Sequence, residues 1–328
     1  MAKQSLSIII PNYNGERTIG TCLEALIAHR DDGCEIVVVD DGSFDGSVEV
    51  IKRYPVNLVR LEHGGASAAR NAGAAGSTGE ALFFIDNDCI VTAATLPRVR
   101  KILSEQPPDV VVGGTYTPVP YDAGFFGAFQ SAFINYSETR NAGEPDYLAT
   151  HALVIRAGPF KEIGGFREDF LPILEDVEFS HRLRRSGYRL IMDPDLRVRH
   201  IFHHSLARSL RNGYNKTRYW TEYSLANRDL FADSGTASRE IKVNGGAWLA
   251  TAVLVLFSLA SGQPSLLFPL PFLWAASLFM NRSLFRAFVN AGGAWFAVRA
   301  GWYYSLIYPA AIWTGFFRGM IRYVYRRM

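Results

Sequence analysis

A chain of 328 residues, 48% of them hydrophobic and 20% charged, has room for one large α/β domain plus an appendage. The net charge of +3 averages two unlike pieces: eight Lys and Arg residues and no acid follow Glu240, so the tail carries +8 and residues 1–240 carry the balance, −5. Mild basicity of this origin is no signature of nucleic-acid binding, and three scattered cysteines, Cys22, Cys34 and Cys89, are too few for a disulfide framework or a thiolate zinc site.

A reducing compartment fits the cysteine usage. Met1–Lys3 leads into the strand-like Ser5–Pro11 without an apolar leader, so the N-terminal domain is expected to stay in the cytoplasm. Residues 5–116 then alternate short β-branched runs with helical stretches: SLSIIIP, Glu16–His29, CEIVVVD, Asp45–Arg53, VNLVRLE, Ala66–Ala75, ALFFID, Thr92–Leu103 and DVVVGGTY. Strands uninterrupted by polar residues are buried on both faces, which predicts a parallel, doubly wound sheet. In such sheets ligands sit beyond the carboxyl ends of the strands, so Pro11–Asn14, Asp40–Ser43 and Asp86–Asp88 are expected to converge on one crevice.

Residues 117–147 carry Pro, Gly and aromatics without periodicity and read as an irregular connection, with room for a short helix. A second block follows: the strand LATHALVIR, a turn at Gly164–Gly165, a helix over Ile173–Ser186, and the strands YRLIMDP and LRVRHI. Residues 205–230 form a helix with Leu206, Leu210 and Tyr214 on one face. That pattern suits a helix on a membrane surface and equally one packed on its own domain. Gly245–Gly262 and Pro264–Met280 are uncharged apolar runs, which are expected to cross the membrane as a hairpin. Residues 294–317 are apolar too but contain Arg299 and Pro309, and Trp295, Trp302, Tyr303, Tyr304 and Trp313 suggest an interfacial or third helix there. Six of the tail's arginines, Arg282, Arg286, Arg318, Arg322, Arg326 and Arg327, flank that run, and two crossings keep all of them on the cytoplasmic side.

Asp86-Asn87-Asp88 follows the apolar strand Ala81–Ile85, so its carboxylates emerge at the sheet edge, where Mg²⁺ or Mn²⁺ would bridge them to a diphosphate through oxygen ligands. Asp40-Asp41-Gly42-Ser43 ends an earlier strand in the same way. The run Gly64–Gly73 opens a helix with small residues and offers Arg70. Two readings stand for it: tight helix–sheet packing, or an approach to a nucleotide phosphate or base at a helix N-terminus. It is neither a P-loop nor the dinucleotide fingerprint.

Four segments in this order, SIIIPNYNGERTIGTCLEAL, EIVVVDDGSFDGS, GGASAARNAGAAGSTGEALFFIDND and RAGPFKEIGGFREDFLPILEDVEFSHRLRRSGYRL, resemble the family-2 glycosyltransferases over Ser5 to His204. The resemblance implies a GT-A, Rossmann-like α/β fold with a mostly parallel sheet and flanking helices, here extended by C-terminal transmembrane or interfacial helices. Together with the loss of acids after Glu240 and the spacing in 205–230, it gives a catalytic domain over 1–240, with a nucleotide-sugar half at 1–116, an acceptor and catalytic half at 117–204 and an amphipathic linker helix at 205–240. Residues 241–328 would then attach it to the membrane. The donor would be a nucleotide sugar, with a UDP-sugar favoured, held by Pro11, Tyr13, Asp40, Arg70, Asp86 and Asn87. The divalent cation would be held by Asp86 and Asp88, with His200 as a further ligand among His200, His203 and His204.

Glu175-Asp176 matches the family's acidic pair, and Asp176 is the expected catalytic base, since an inverting displacement needs a group to take the acceptor hydroxyl's proton. The chain departs from the family at His63, where Asn is usual, and at Arg167-Glu168-Asp169, where an Asp-Glu pair is usual. The expected activity is therefore inverting transfer to a hydroxyl of a lipid-linked or saccharide acceptor, at the cytoplasmic face of the membrane. The alternatives are a polyprenyl-phosphate sugar synthase and an inactive membrane scaffold on the same fold.

Overall fold

The computed structural model describes residues 5–171 and 173–326. The chain divides into two compact units, Met1–Ala123 with Glu138–His203, and Gly124–Ser137 with His204–Met328.

The first unit is built on one sheet of eight strands, β1 (Leu6–Asn12), β2 (Cys34–Asp40), β3 (Asn57–Arg60), β4 (Ala81–Phe84), β5 (Cys89–Val91), β6 (Val110–Tyr116), β7 (Leu153–Arg156) and β8 (Arg189–His200), in the order β3-β2-β1-β4-β7-β6-β8-β5. Six of them run in one direction, and β5 and β7 are reversed. The sheet is thus the GT-A-like mixed form of the mostly parallel sheet that the sequence predicts. Registers Asn12↔Asp40 and Ile9↔Phe84 bring the carboxyl ends of β1, β2 and β4 to one edge. The apolar runs of these strands are buried because helices cover both faces: α1 (Ile19–His29), α2 (Ser47–Ile51), α3 (Ala66–Ala75) and α4 (Thr95–Glu105) from the first half, with α6 (Ala157–Glu162) and α7 (Glu175–Arg185) from the second. On α4 the buried Leu96, Val99, Ile102 and Leu103 form one stripe at helical spacing. The approach of α3 to the sheet depends on Gly73, where a Cβ would lie 2.5 Å from Ile9 Cγ2 and 3.0 Å from Val39 Cγ2.

The second unit is helical. α5 (Phe125–Thr139) fills what reads in the sequence as an irregular connection, and its residues through Ser137 belong to this unit. Its composition, FFGAFQSAFINYSET, is apolar around most of its circumference, because Phe129 packs on Phe288 and Tyr303 while Phe133 packs on Tyr304. The remaining helices are α8 (Leu206–Asn227), α9 (Arg239–Ser261), α10 (Leu270–Met280), α11 (Arg282–Trp302) and α12 (Tyr308–Tyr325). α8 packs on α12 at short range: a Cβ on Gly315 or Gly319 would lie 2.5 Å from the carbonyl oxygens of Tyr214 and Arg218. This contact joins residues 204–240 to the C-terminal helices, so the compact unit starts earlier in the chain than residue 241.

The apolar tail differs in detail from its sequence pattern. α9 is long and apolar enough to cross a membrane, with a mean hydropathy of 1.7. Pro264–Met280 is not one helix but a 3₁₀ turn followed by the 11-residue α10, which at about 1.5 Å per residue is too short to span a bilayer core of about 30 Å alone. It qualifies only together with Arg282–Tyr325, across a bend of 61°. Of the aromatics expected at the interface, Trp295 and Trp302 are exposed, whereas Tyr303 and Tyr304 are buried, with their hydroxyls donating to Ser209 Oγ and Asn281 Oδ1. Arg299 lies over the Phe125 ring. Arg327 lies outside the described residues.

Candidate active site

The sheet edge collects the polar ends of three strands. Asn12, buried at the end of β1, donates to Asp40 Oδ1 from Nδ2 (2.9 Å) and accepts from Asn87 Nδ2 on Oδ1 (2.7 Å). A buried asparagine serving as donor and acceptor at once fixes its neighbours' rotamers. Asp40 is fully buried and also accepts from the Ser43 amide and hydroxyl. Asp41, 2% exposed, accepts the amides of Gly64 and Gly65 at 2.8 Å each, so the residues leading into α3 are held by a carboxylate of the chain itself. His63 bonds to Asp41 and stacks on Tyr13 with ring centroids 4.2 Å apart. Tyr13 is 43% exposed and leaves a face available beside this crevice, while Pro11 is half-buried and pairs with Val39 of β2.

Arg70 is the electrostatic hinge of the site. It is 4% exposed and donates from Nη2 to Asp86 Oδ1 (2.8 Å) and from Nη1 to Glu175 Oε1 (2.7 Å), joining α3, the β4 end and the start of α7. Two carboxylates around one guanidinium account for a charged side chain at that depth. Burial pushes the Asp86 carboxyl up, but the Arg70 guanidinium more than reverses this and holds it below its ordinary range.

Asp88 has the opposite balance. Burial and the neighbouring Asp86 charge push its carboxyl up to about 7, and among the described residues no arginine forms an ion pair with it. Its Oδ2 lies 3.3 Å from His200 Nε2, and 32% of its side chain remains accessible. Asp88, Cys89 and His200 present donor atoms that all lie within 4.8 Å of one another. Burial and the two carboxylates raise the Cys89 thiol well above its usual range, and a soft sulfur donor suits hard cations poorly. What remains is carboxylate oxygen and imidazole nitrogen, which fits a hard or borderline divalent cation such as Mg²⁺ or Mn²⁺. A dication also removes the penalty on an ionised Asp88.

Behind His200 lies a second layer. Tyr116 meets His200 edge to face and stacks on His151, whose Nε2 is 3.4 Å from Glu138 Oε2. Burial pulls His151 down, but Glu138 outweighs it and holds the imidazole above the ordinary range. At the start of α7, Leu174 adopts φ 79°, ψ 18° although it is not glycine. Such strain clusters at functional turns. It precedes Glu175 and Asp176 in the first helical turn, where negative charge is favourable. Glu175 is tied to Arg70, whereas Asp176 accepts the Val177 amide on Oδ1 at 2.8 Å.

The structure therefore forms two bonded groups, Asp40–Asn12–Asn87 and Asp86–Arg70–Glu175, that meet in the chain at Asp86-Asn87, with Asp88 and His200 beside them. His203 is not part of the cluster, since its amide and imidazole face Asp122. Asn12 and Asp41 lie in the strand-end segments expected at the crevice but had no role assigned to them, and Glu138 and His151 were not singled out. Glu138 falls in a stretch read as an irregular connection and His151 in one read as a strand, so nothing in the sequence pattern pairs them.

Residues 7–157 match the family model described as glycosyl transferase family 2. The chain is 27% identical over 238 residues to glycosyltransferase AglE of Haloferax volcanii, covering 69% of this chain and 78% of the relative. It is 32% identical over 117 residues to the poly(ribitol-phosphate) beta-glucosyltransferase of Bacillus spizizenii, covering 33% of this chain and 18% of that one. Among solved structures, the mannosyltransferase PcManGT of Pyrobaculum calidifontis, in complex with GDP-Man and Mn²⁺, superposes with a TM-score of 0.59 at 17% identity, covering 100% of this chain and 89% of the other. That likeness establishes a common GT-A fold.

Proposed function

Starting from the fact that residues 7–157 are a family-2 glycosyltransferase domain, we propose that this chain moves a sugar from a nucleoside diphosphate donor to a hydroxyl of a lipid-linked or saccharide acceptor, with inversion. The observation that carries this reading is the unequal treatment of two neighbouring carboxylates. Asp86 is neutralised by Arg70, and Asp88 is left facing His200 with its pKa pushed up to about 7. Two adjacent acids split in this way are the arrangement expected of a divalent-cation site.

Asp88 and His200 would hold Mg²⁺ or Mn²⁺, which supplies charge stabilisation to the departing diphosphate when bound. Asp40, Asn87 and Tyr13 line the nucleotide side, and Pro11 shapes it. Arg70 holds Asp86 and Glu175 in place. Asp176 takes the proton of the attacking hydroxyl, and its position in the first turn of α7 favours the ionised form such a base needs. The acidic residue next to it, Glu175, is committed to Arg70 and serves to position this turn.

Membrane attachment is supported by α9 and by the exposed apolar side chains of the second unit, among them Leu256, Phe257, Phe268 and Phe272. Arginines after Met280 and the absence of acids after Glu240 favour a cytoplasmic catalytic face. In functional terms, we take residues 1–240 to serve catalysis and residues 241–328 to attach the chain, with residues 204–240 packed in one compact unit with the attaching helices.

The experiment is a donor panel with the purified full chain and Mn²⁺, read by mass spectrometry for released nucleotide and transferred sugar. UDP-sugars are the donors expected first. GDP-mannose is included because the PcManGT relative is described in complex with it. Turnover of one donor that stops in excess chelator supports the reading. No turnover of any donor leaves the scaffold alternative standing. Retained transfer in Asp176→Asn would favour a phosphate acceptor, since a phosphate nucleophile needs little help from a base.

A further inference from the structure

The second unit contains a cavity of about 400 Å³ that the glycosyl-transfer chemistry does not use. Its volume lies in the range, roughly 300–1,000 Å³, of pockets that enclose small organic ligands. Helices α5, α8, α9 and α12 supply its wall, with Trp220, Phe231, Trp313 and Phe316 among the apolar residues. Phe231 is 87% exposed, so the apolar lining continues onto the surface.

Besides the hydroxyls of Thr217, Thr221 and Thr236, one amide and two ammonium groups interrupt this wall. Gln130 is 1% exposed, and its Oε1 has no hydrogen-bond partner, an unusual state for a buried amide. Lys216 and Lys242 line the same cavity. Lys242 donates to the Ala232 carbonyl, and Lys216 makes no ion pair among the described residues. An apolar chamber with two ammonium groups and an unsatisfied amide matches an amphiphile with an apolar chain and an anionic, hydrogen-bonding head.

We propose that this cavity binds the isoprenoid chain and phosphate of a lipid-linked acceptor, with Lys216, Lys242 and Gln130 at the phosphate end. The assignment rests on the reading of the chain as a glycosyltransferase with a lipid-linked acceptor. It adds to that reading the place where the lipid is held.

Gly246 makes the assignment testable. It lines the cavity, and a Cβ built on it meets nothing within 4 Å. Gly246→Leu therefore starts into open space at its Cβ and extends into the chamber, and leucine suits the interior of α9 better than glycine. The full chain in neutral detergent is titrated with geranylgeranyl phosphate, geranylgeraniol and phosphatidylglycerol, read by tryptophan emission, since Trp220 and Trp313 stand in the wall. The expected result is that the isoprenoid phosphate binds about tenfold tighter than the alcohol or the phospholipid. Gly246→Leu weakens it by at least about tenfold with a melting temperature no lower than that of wild type, and Lys216→Ala removes the preference for phosphate over alcohol.

Equal binding by wild type and Gly246→Leu overturns the proposal, as does phosphatidylglycerol binding as tightly as the isoprenoid phosphate. Should Gly246→Leu fail to fold, Lys216→Ala decides, and an unchanged phosphate preference in it overturns the proposal. Donor hydrolysis is measured on the same samples. Absence of hydrolysis with every donor counts against the transferase reading, whereas hydrolysis without lipid-phosphate binding counts against the cavity alone.

Discussion

Replacing Arg70 by methionine removes the cation between Asp86 and Glu175 and leaves both carboxylates facing each other at the start of α7. Arg70 is 5% exposed at its side chain, with contacts of 2.8 Å and 2.7 Å to its two partners. Removing one member of a buried ion pair costs about 3–5 kcal/mol, chiefly because the remaining charge is left without compensation. Asp86 keeps 30% of its side chain accessible and Glu175 14%, so solvent relieves part of the penalty and about 3 kcal/mol is the expected cost. At about 2–4 °C per kcal/mol for a domain of this size, the melting temperature of the first unit falls by roughly 6–12 °C. Adding Asp86→Asn to Arg70→Met removes one of the stranded charges and recovers part of the loss, so the pair is non-additive. The assay is a thermal melt by circular dichroism without nucleotide or metal, beside a nucleoside diphosphate titration at low temperature. A melt within about 2 °C of wild type, with nucleotide affinity reduced tenfold or more, would refute the reasoning and make Arg70 a direct donor contact.

Asp88→Ala and Asp88→Asn are both expected to abolish metal-dependent turnover, and full activity of either in excess chelator would contradict the cation site. His200→Ala should weaken Mn²⁺ binding by at least about 10–100-fold, the range for losing even an outer-shell partner of a ligand, and a Mn²⁺ titration by paramagnetic resonance reads it. Asp176→Asn should stop transfer to a hydroxyl while leaving nucleoside diphosphate affinity within a few-fold, and a parallel loss of affinity would assign the residue to the donor site or the fold. Gly73→Ala should destabilise the first unit by about 1–3 kcal/mol, because its Cβ overpacks against Ile9 and Val39, whereas an unchanged melt would mean that α3 shifts freely. A topology reporter at Gln263 should signal from outside and one after Met328 from the cytoplasm, and an external signal from the second would mean an odd number of crossings.

The strands of the first unit were legible because burial on both faces leaves no polar interruption. CEIVVVD coincides with β2 residue for residue, and Ala66–Ala75 with α3. α5 was not legible, since a helix contacted on several sides by Phe288, Tyr303 and Tyr304 has no polar face to give it a period. β5, only Cys89–Val91, is too short to separate from the Asp86–Asp88 turn. LATHALVIR reads as one strand, but the ladder with β4 takes only Leu153–Arg156 and the preceding residues form a 3₁₀ turn. At the site, the residue types could be read from strand ends, whereas their partners could not. Glu175 lies 105 residues from Arg70 in the chain, and Tyr303 looks like an interfacial tyrosine until its hydroxyl is seen bonded to Ser209.

The most direct measurement is proton nuclear magnetic resonance of the transferred sugar when an α-linked nucleoside diphosphate donor is turned over with Mn²⁺. A single in-line displacement assisted by Asp176 gives a β-linked product at the first time points, and Asp88→Ala gives none. An α-linked product, or the same product from Asp88→Ala in chelator, would contradict the account.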